Sequence, residues 1–221
     1  MATGIAWRTL GVPRLDRLVG SGVFYGAAGS DTRAMDARTV FVVGAGNSAG
    51  QAALHLARHA ASVTMLVRRD TLAHSMSDYL VKEIEATPAI TVRLTTEVTA
   101  AHGAARLEAL TLCDRRTGRP ERVPADALFI LIGGNPCTTW LPKTIQRAGG
   151  YILTGRDVNL NGPGPAGWPL DRAPLPLETS VPGVFAAGDA RYRSIKRVAS
   201  AVGDGATAVR VAQEYLAGRD G

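Results

Sequence analysis

Apolar positions along the chain gather in short runs set off by glycine and proline. The clearest run covers residues 40–43 and predicts a strand buried on both faces. A glycine-rich turn follows it. Small and apolar residues at Ala49, Gly50, Ala52, Ala53, Leu54, Leu56 and Ala57 then predict a helix. Residues 62–67 read as the next strand, and Met76, Leu80 and Ile84, spaced by four, predict a helix over about residues 75–87. Strands are expected at 90–94, 97–101 and 107–113, the last two as an antiparallel ribbon covering the sheet. A further apolar strand over 127–132 ends at the loop-forming group Gly133-Gly134-Asn135-Pro136. Near the end, residues 184–189 predict a strand closing in Gly188-Asp189, and residues 198–216 a helix rich in alanine. Residues 1–37 read as irregular. Residues 139–182, rich in proline and glycine, hold little beyond a short strand near Tyr151, a composition shift that marks a domain boundary.

The turn after the first strand carries the chemistry. Gly44 permits a tight turn that a side chain would obstruct, and Gly46 lets the backbone approach a pyrophosphate. Ala49 is the third small position, where helix packs against strand. With Asn47 and Ser48 these residues place free N–H groups and the positive helix end around a phosphate. About 20 residues beyond the glycines, sites for NAD usually present a carboxylate to the ribose hydroxyls. Here Arg68 and Arg69 stand at that distance, and guanidinium groups bind a 2′-phosphate that a carboxylate would repel. The expected ligand is therefore NADPH rather than NADH. Gly133, at a strand end facing the cofactor crevice, is expected to add backbone contacts. Asp189, at a strand end beside a helix N-terminus, suits either a hydrogen bond from a polyol hydroxyl or an N-cap role.

Length and composition narrow the rest. The 221 residues suffice for one large domain or two modest ones, and no apolar run is long enough to span a membrane. A soluble, cytoplasmic protein is expected. The net charge of +6 comes mostly from scattered arginines without interleaved aromatics, which argues against nucleic-acid binding. Arg115, Arg116, Arg119 and Arg122 read as a solvated hairpin around Thr117-Gly118. Cys113 and Cys137 form no Cys-x-x-Cys and are expected as half-buried or buried thiols. His55 and His59 share a helix face without an obvious third ligand, so no metal site is expected.

Three segments together resemble the NADPH- and FAD-dependent pyridine nucleotide-disulfide oxidoreductases, most closely their thioredoxin reductase-like members. Gly44-Ala45-Gly46-Asn47-Ser48-Ala49 resembles that family's NADPH motif. Val67-Arg68-Arg69-Asp70 resembles its 2′-phosphate motif. The run from Glu178 to Asp189, with Pro182-Gly183 and Gly188-Asp189, resembles its FAD motif. The resemblance implies an α/β fold in which a Rossmann-like NAD(P)-binding domain, of the three-layer ββα type, is inserted in a partial FAD-binding domain. Residues 1–23 would be a remnant of the FAD domain and hinge, 24–137 the NADPH-binding domain, and 138–221 the C-terminal part of the FAD domain. It also implies that Gly188 and Asp189 contact FAD and that Lys196, Arg197 and Val198 lie beside the flavin. The implied chemistry is hydride transfer from NADPH to the flavin and on to an unknown acceptor.

Three departures shape that expectation. The family's redox Cys-x-x-Cys is matched by Gly26-Ala27-Ala28-Gly29, so thioredoxin reduction by the usual route is not expected. Ala73 stands near the place of a further arginine that the family often carries. No second glycine fingerprint precedes residue 40, so the first FAD segment is expected to be missing. The chain would then be a fragment or half of a split enzyme that binds FAD poorly alone, with a homodimer or partner chain supplying the segment. Two other readings stay open. One is a non-catalytic NADPH-binding module. The other is a short-chain dehydrogenase with Tyr192 and Lys196 at Tyr-x-x-x-Lys spacing.

Overall fold

The computed structural model describes residues 1–26, 34–159 and 168–218. In chain order its elements are β1 (Ile5–Trp7), β2 (Val23–Tyr25), β3 (Thr39–Val43), α1 (Asn47–Leu56), β4 (Ser62–Leu66), α2 (Asp78–Glu85), β5 (Ile90–Arg93) and β6 (Thr96–His102). They continue with β7 (Ala109–Asp114), β8 (Pro120–Pro124), β9 (Ala127–Ile130), β10 (Gly134–Pro136), β11 (Arg147–Ala148), β12 (Tyr151–Ile152) and α3 (Val198–Ala217). The chain divides into two compact units, Arg8–Gly133 on the one hand and Met1–Trp7 with Gly134–Gly221 on the other.

The Arg8–Gly133 unit is built on a five-stranded parallel sheet in the order β2-β9-β3-β4-β5. Its strands alternate between two apolar layers, which is why they read as unbroken apolar runs. Val40, Val42, Val63, Met65 and Phe129 face a core shared with Ala49, Ala53 and Leu56 of α1 and Leu80 and Ile84 of α2. Phe41, Val43, Leu66, Leu128 and Ile130 face a second core with Val98, Leu107, Leu110 and Leu112. That second face is covered by an antiparallel sheet in the order β6-β7-β8, giving the expected three layers, ββα.

Three sequence expectations are corrected. The described part of residues 1–37 is not wholly irregular. β2 pairs with β9 at the sheet edge, and Val12, Leu15 and Leu18 enter the second core. A three-residue strand carries too little periodicity to be read locally, and its register comes from β9. The ribbon over the sheet gains a third strand, β8, whose positions are exposed except for half-buried Val123. Such a strand shows no apolar alternation and is recruited by the turn that joins it to β7. The four arginines around that turn are exposed, as expected of a solvated hairpin. Finally, residues 184–189 do not form a strand.

Residues 184–189 belong to the second unit, where β1 pairs antiparallel with β10 and β11 with β12. A single bridge joins Phe185 to Glu178, and Gly188–Ala190 is a 3-10 turn. The segment is extended and bonded on both sides. Ala186 N–H donates to the Leu177 carbonyl at 2.9 Å, and Ala187 N–H to that of Met1 at 2.9 Å. Each neighbour contributes only one or two residues, too few for a ladder. The core here is small: Leu141, Ile145, Ile152, Ala186 and Ala190, with Met1, Val181 and Val184. α3 runs as expected. It buries only Val211 completely, while Val198, Val202, Val209 and Leu216 stay exposed. No helix among the described residues is long and apolar enough to cross a membrane.

Phe129 is fully buried in the interior strand β9 and stacks on Phe24 with ring centroids 5.0 Å apart. Phe129→Ala is expected to destabilise the Arg8–Gly133 unit by about 3–5 kcal/mol, read as a fall in denaturant midpoint at unchanged slope. A loss below about 1 kcal/mol would contradict this packing.

Candidate functional site

In the Arg8–Gly133 unit the sequence-predicted residues converge on the carboxyl edge of the parallel sheet. β3 continues to one side as β4 and β5, while its other neighbour is β9, so strand order reverses between β3 and β9. Open parallel sheets bind ligands at such a reversal, outside the carboxyl ends of the strands. The Gly44–Ala49 turn leaves β3 at that point, Arg68 and Arg69 leave β4, and Gly133 lies three residues beyond β9. Backbone bonds fix the edge. Gly44 N–H donates to Leu66 O at 3.2 Å, Leu131 N–H to Val43 O at 2.8 Å, and Val67 N–H to Arg93 O at 3.0 Å.

The glycines divide their tasks. Gly44 has φ +146°, and a Cβ there would stand 2.6 Å from the Leu131 carbonyl oxygen and 2.9 Å from the Ala49 Cβ. This position therefore needs glycine for close packing as well as for its backbone angle. Ala49 is fully buried against it, so the turn, helix and two strands meet at these small residues. Gly46 is open: a Cβ would meet only Ser75 O, at 3.9 Å. It caps α1 without any side-chain cap bond, and Asn47 and Ser48 are exposed at the helix start. The Asn47 side chain turns to the segment before α2, where its Oδ1 accepts from Ser77 N–H at 2.8 Å and its Nδ2 donates to Ser77 Oγ at 2.9 Å. Ser75 Oγ donates to Ala45 O at 2.9 Å. Residues 75–77 thus brace the turn, a role that sequence reasoning missed. Its one available signal was the Ser-x-Ser ahead of a helix.

Arg68 and Arg69 are exposed, and among the described residues no carboxylate pairs with either. Gly133 is exposed with φ +83°, and its carbonyl accepts from Arg8 N–H at 3.1 Å. His59 Nδ1 lies 3.3 Å from Asp36 Oδ1, while the His55 and His59 rings are 6.3 Å apart. Cys113 and Cys137 are free, half-buried and in different units. Of the Gly26–Gly29 stretch, all but Gly26 lies outside the described residues.

In the second unit Gly188, Asp189, Lys196, Arg197 and Val198 come together at the start of α3. The N-cap reading of Asp189 is corrected, because Arg197 holds that position and no side chain caps the helix. Asp189 belongs to the 3-10 turn Gly188–Ala190 instead. Its Oδ1 is buried without a hydrogen-bond partner among the described residues. A buried carboxylate oxygen left unpaired is costly, and a ligand hydroxyl or N–H would satisfy it. Lys196 Nζ donates to Asp189 O at 2.8 Å and Ser194 Oγ at 2.5 Å, and lies 4.5 Å from the Tyr151 ring centroid. Burial holds its pKa below the ordinary lysine value; Asp189 opposes that shift and Arg191 adds to it. The nitrogen is thus directed to Asp189, Ser194 and Tyr151 rather than to Tyr192, against the short-chain dehydrogenase pairing. Arg197 and Val198 are exposed.

Two supports were invisible in the sequence. Asp204 on α3 accepts from Gly188 N–H at 3.0 Å and from Arg191 Nε at 3.0 Å, and Arg191 also reaches Thr154. Glu178, fully buried, accepts from Arg172 Nη1 at 2.7 Å and Nη2 at 2.9 Å, and from Leu175 and Gly183 N–H. Both join residues through folded loops, with no local pattern to mark them.

Comparison with known proteins agrees with this geometry. Residues 1–205 match the family model for pyridine nucleotide-disulphide oxidoreductases. The chain is 32% identical to the thioredoxin reductase of Treponema pallidum over 98% of its own length and 63% of that protein's. It is 34% identical to the thioredoxin reductase of Streptomyces clavuligerus over 98% of its own length and 61% of that protein's. Among solved structures, thioredoxin reductase from Streptococcus pyogenes superposes with a TM-score of 0.77 at 28% identity, over 98% of this chain and 64% of that one. A dinucleotide-type parallel sheet and a Gly-Asp turn thus occur together in one chain. The chain belongs to the pyridine nucleotide-disulphide oxidoreductase family and is thioredoxin reductase-like. It spans less than two thirds of the length of these relatives.

Gly44→Ala forces a Cβ onto a backbone carbonyl and is expected to cost about 2 kcal/mol or more, seen in thermal unfolding. Glu178 titrates below the ordinary carboxyl value; burial pushes it up, but Arg172 and the Gly183 and Leu175 N–H groups outweigh burial. Its contribution is therefore complete above the ordinary value of 4.5 and is lost as the pH falls through the lower folded value. Glu178→Gln should cost about 2 kcal/mol near neutral pH, and its deficit relative to the natural protein should shrink under acid. A deficit constant across the pH series would contradict this.

Proposed function

We propose that this chain works in an NADPH-dependent flavoprotein oxidoreductase. The observation that carries the reading is the pair Arg68-Arg69, exposed and without an acidic partner among the described residues, on the sheet edge that bears the Gly44–Ala49 turn. On this reading Gly44, Gly46 and Ala49 shape the cradle, and the N–H groups of Asn47 and Ser48 hold the pyrophosphate of NADPH. Arg68 and Arg69 hold its 2′-phosphate, and Gly133 lines the same edge. The NADPH-binding role goes to residues 24–137, the C-terminal FAD-domain role to 138–221, and that of FAD-domain remnant and hinge to 1–23.

FAD fits the second site. The unpaired Asp189 Oδ1 suits a ribityl hydroxyl, and the open N-terminus of α3 at Arg197 and Val198 suits an electron-rich ring edge. Gly188 keeps the turn open, and Lys196 fixes the Asp189 backbone and adds positive charge. When bound, FAD supplies the redox step, taking hydride from NADPH and passing electrons to an acceptor. The chain's part is to orient both cofactors. No protein acid, base or nucleophile is assigned.

The test is a visible absorption spectrum of the purified protein with and without added FAD, followed by NADPH, alongside calorimetric titration with NADP+. The expected result is NADP+ binding that Arg68→Ala with Arg69→Ala weakens by about 10–100-fold, with NAD+ binding unchanged. A flavin band that bleaches with NADPH supports the full reading. NADP+ binding without any flavin band favours the non-catalytic NADPH-binding module. Equal affinity for NAD+ and NADP+ removes the NADPH assignment.

A further inference from the structure

The cradle edge carries a third guanidinium that lies far away in sequence. We infer that Arg115, from the hairpin between β7 and β8, is a specificity-determining residue for the 2′-phosphate, acting beside Arg68 and Arg69. The inference rests on the NADPH reading of that edge. It supplies a charge that the local motif does not, since Ala73 follows the arginine pair where another basic side chain could have stood.

The placement is specific. Thr95 N–H donates to Arg69 O at 2.9 Å, and Arg115 N–H donates to Thr95 O at 2.7 Å. The backbone of Arg115 is therefore one residue removed from that of Arg69 across two hydrogen bonds. Its side chain turns back along the same direction, and Nη1 donates to the Arg68 carbonyl at 3.2 Å. Three arginines thus leave the backbone within one small patch of the sheet edge, two just beyond β4 and one from the antiparallel layer. Several arginines around one site favour a phosphate dianion over a neutral hydroxyl.

Arg115 already has a carboxylate neighbour, Glu97, with Nε to Oε2 at 3.3 Å. Both side chains are about half exposed, at 51% and 41%, so the pair is screened by water and weakly held. A phosphate carries more charge than a carboxylate and accepts more hydrogen bonds. Exchange of Glu97 for the phosphate is therefore favourable, and Glu97 acts as a weak competitor for the arginine. Arg116, next in sequence, pairs instead with Asp114 on its own hairpin and takes no part.

Calorimetric titration of the full chain with NADP+ and with NAD+ tests the assignment. Arg115→Ala is expected to raise the Kd for NADP+ about tenfold and leave that for NAD+ unchanged. Glu97→Gln, which frees the arginine, is expected to tighten NADP+ binding by about two- to threefold, again without effect on NAD+. The unchanged NAD+ affinity excludes a general loss of fold. If Arg115→Ala weakens both dinucleotides equally, or neither, the inference is overturned. If Arg68→Ala abolishes discrimination while Arg115→Ala preserves it, the NADPH reading stands and the Arg115 inference alone falls. A natural protein that binds NADP+ no more tightly than NAD+ overturns both.

Discussion

The candidate dinucleotide site depends on one close approach, between the backbone of Gly44 and the carbonyl of Leu131. No side chain fits between them. Because the gap is closed, β3 can end against β9, and α1 can begin at once beside the fully buried Ala49. The reversal of strand order falls at the same place. A larger residue would have to move either the central strand pair or the helix, and each is packed into the larger of the two cores. The apolar layers are thus what hold the polar edge in shape. Val40, Val42 and Phe129 on one face, and Phe41, Val43 and Leu128 on the other, fix the strands whose ends present Gly46, Arg68 and Arg69.

The two candidate sites treat their polar groups in opposite ways. At the glycine turn the side chain of Asn47 is fully engaged with Ser77, and Ser75 holds Ala45, so side chains brace the loop and backbone faces outward. At the Gly-Asp turn the backbone is the engaged part. Gly188 N–H is taken by Asp204 and the Asp189 carbonyl by Lys196, while the Asp189 carboxylate keeps one buried oxygen unpaired. A backbone cradle suits a phosphate, whose oxygens accept from several N–H groups. A lone buried carboxylate oxygen suits a hydroxyl donor.

Legibility in the sequence followed locality. The β3–α1–β4 run was readable because the apolar run, the turn and the small-residue helix are contiguous, and each is a local preference that the tertiary structure also wants. The placement of Arg68 and Arg69 was readable because they follow the glycines directly through one helix and one strand, and they stand just beyond β4 as expected. β2 and β8 were not, since three apolar residues in one and a nearly all-exposed face in the other gain their structure from a neighbour. Residues 184–189 misled for the converse reason. Their composition is that of a strand, yet the segments alongside supply single bonds rather than a ladder. Asp204 and Arg115 act across 16 and 47 residues, distances at which sequence spacing carries no signal.

The Arg8–Gly133 unit enters and leaves at one point. Arg8 N–H meets the Gly133 carbonyl at 3.1 Å, and just outside that bond β1 and β10 run antiparallel from Trp7 and Gly134. To the rest of the chain the whole unit is therefore equivalent to the loop of a short hairpin, and its own ends need no linker to close. Segments with adjoining ends can be gained, lost or exchanged between genes without breaking the fold that carries them. The unit is in that sense a cassette: recombination at this junction could couple the same five-stranded parallel sheet to a different host and so to a different chemistry.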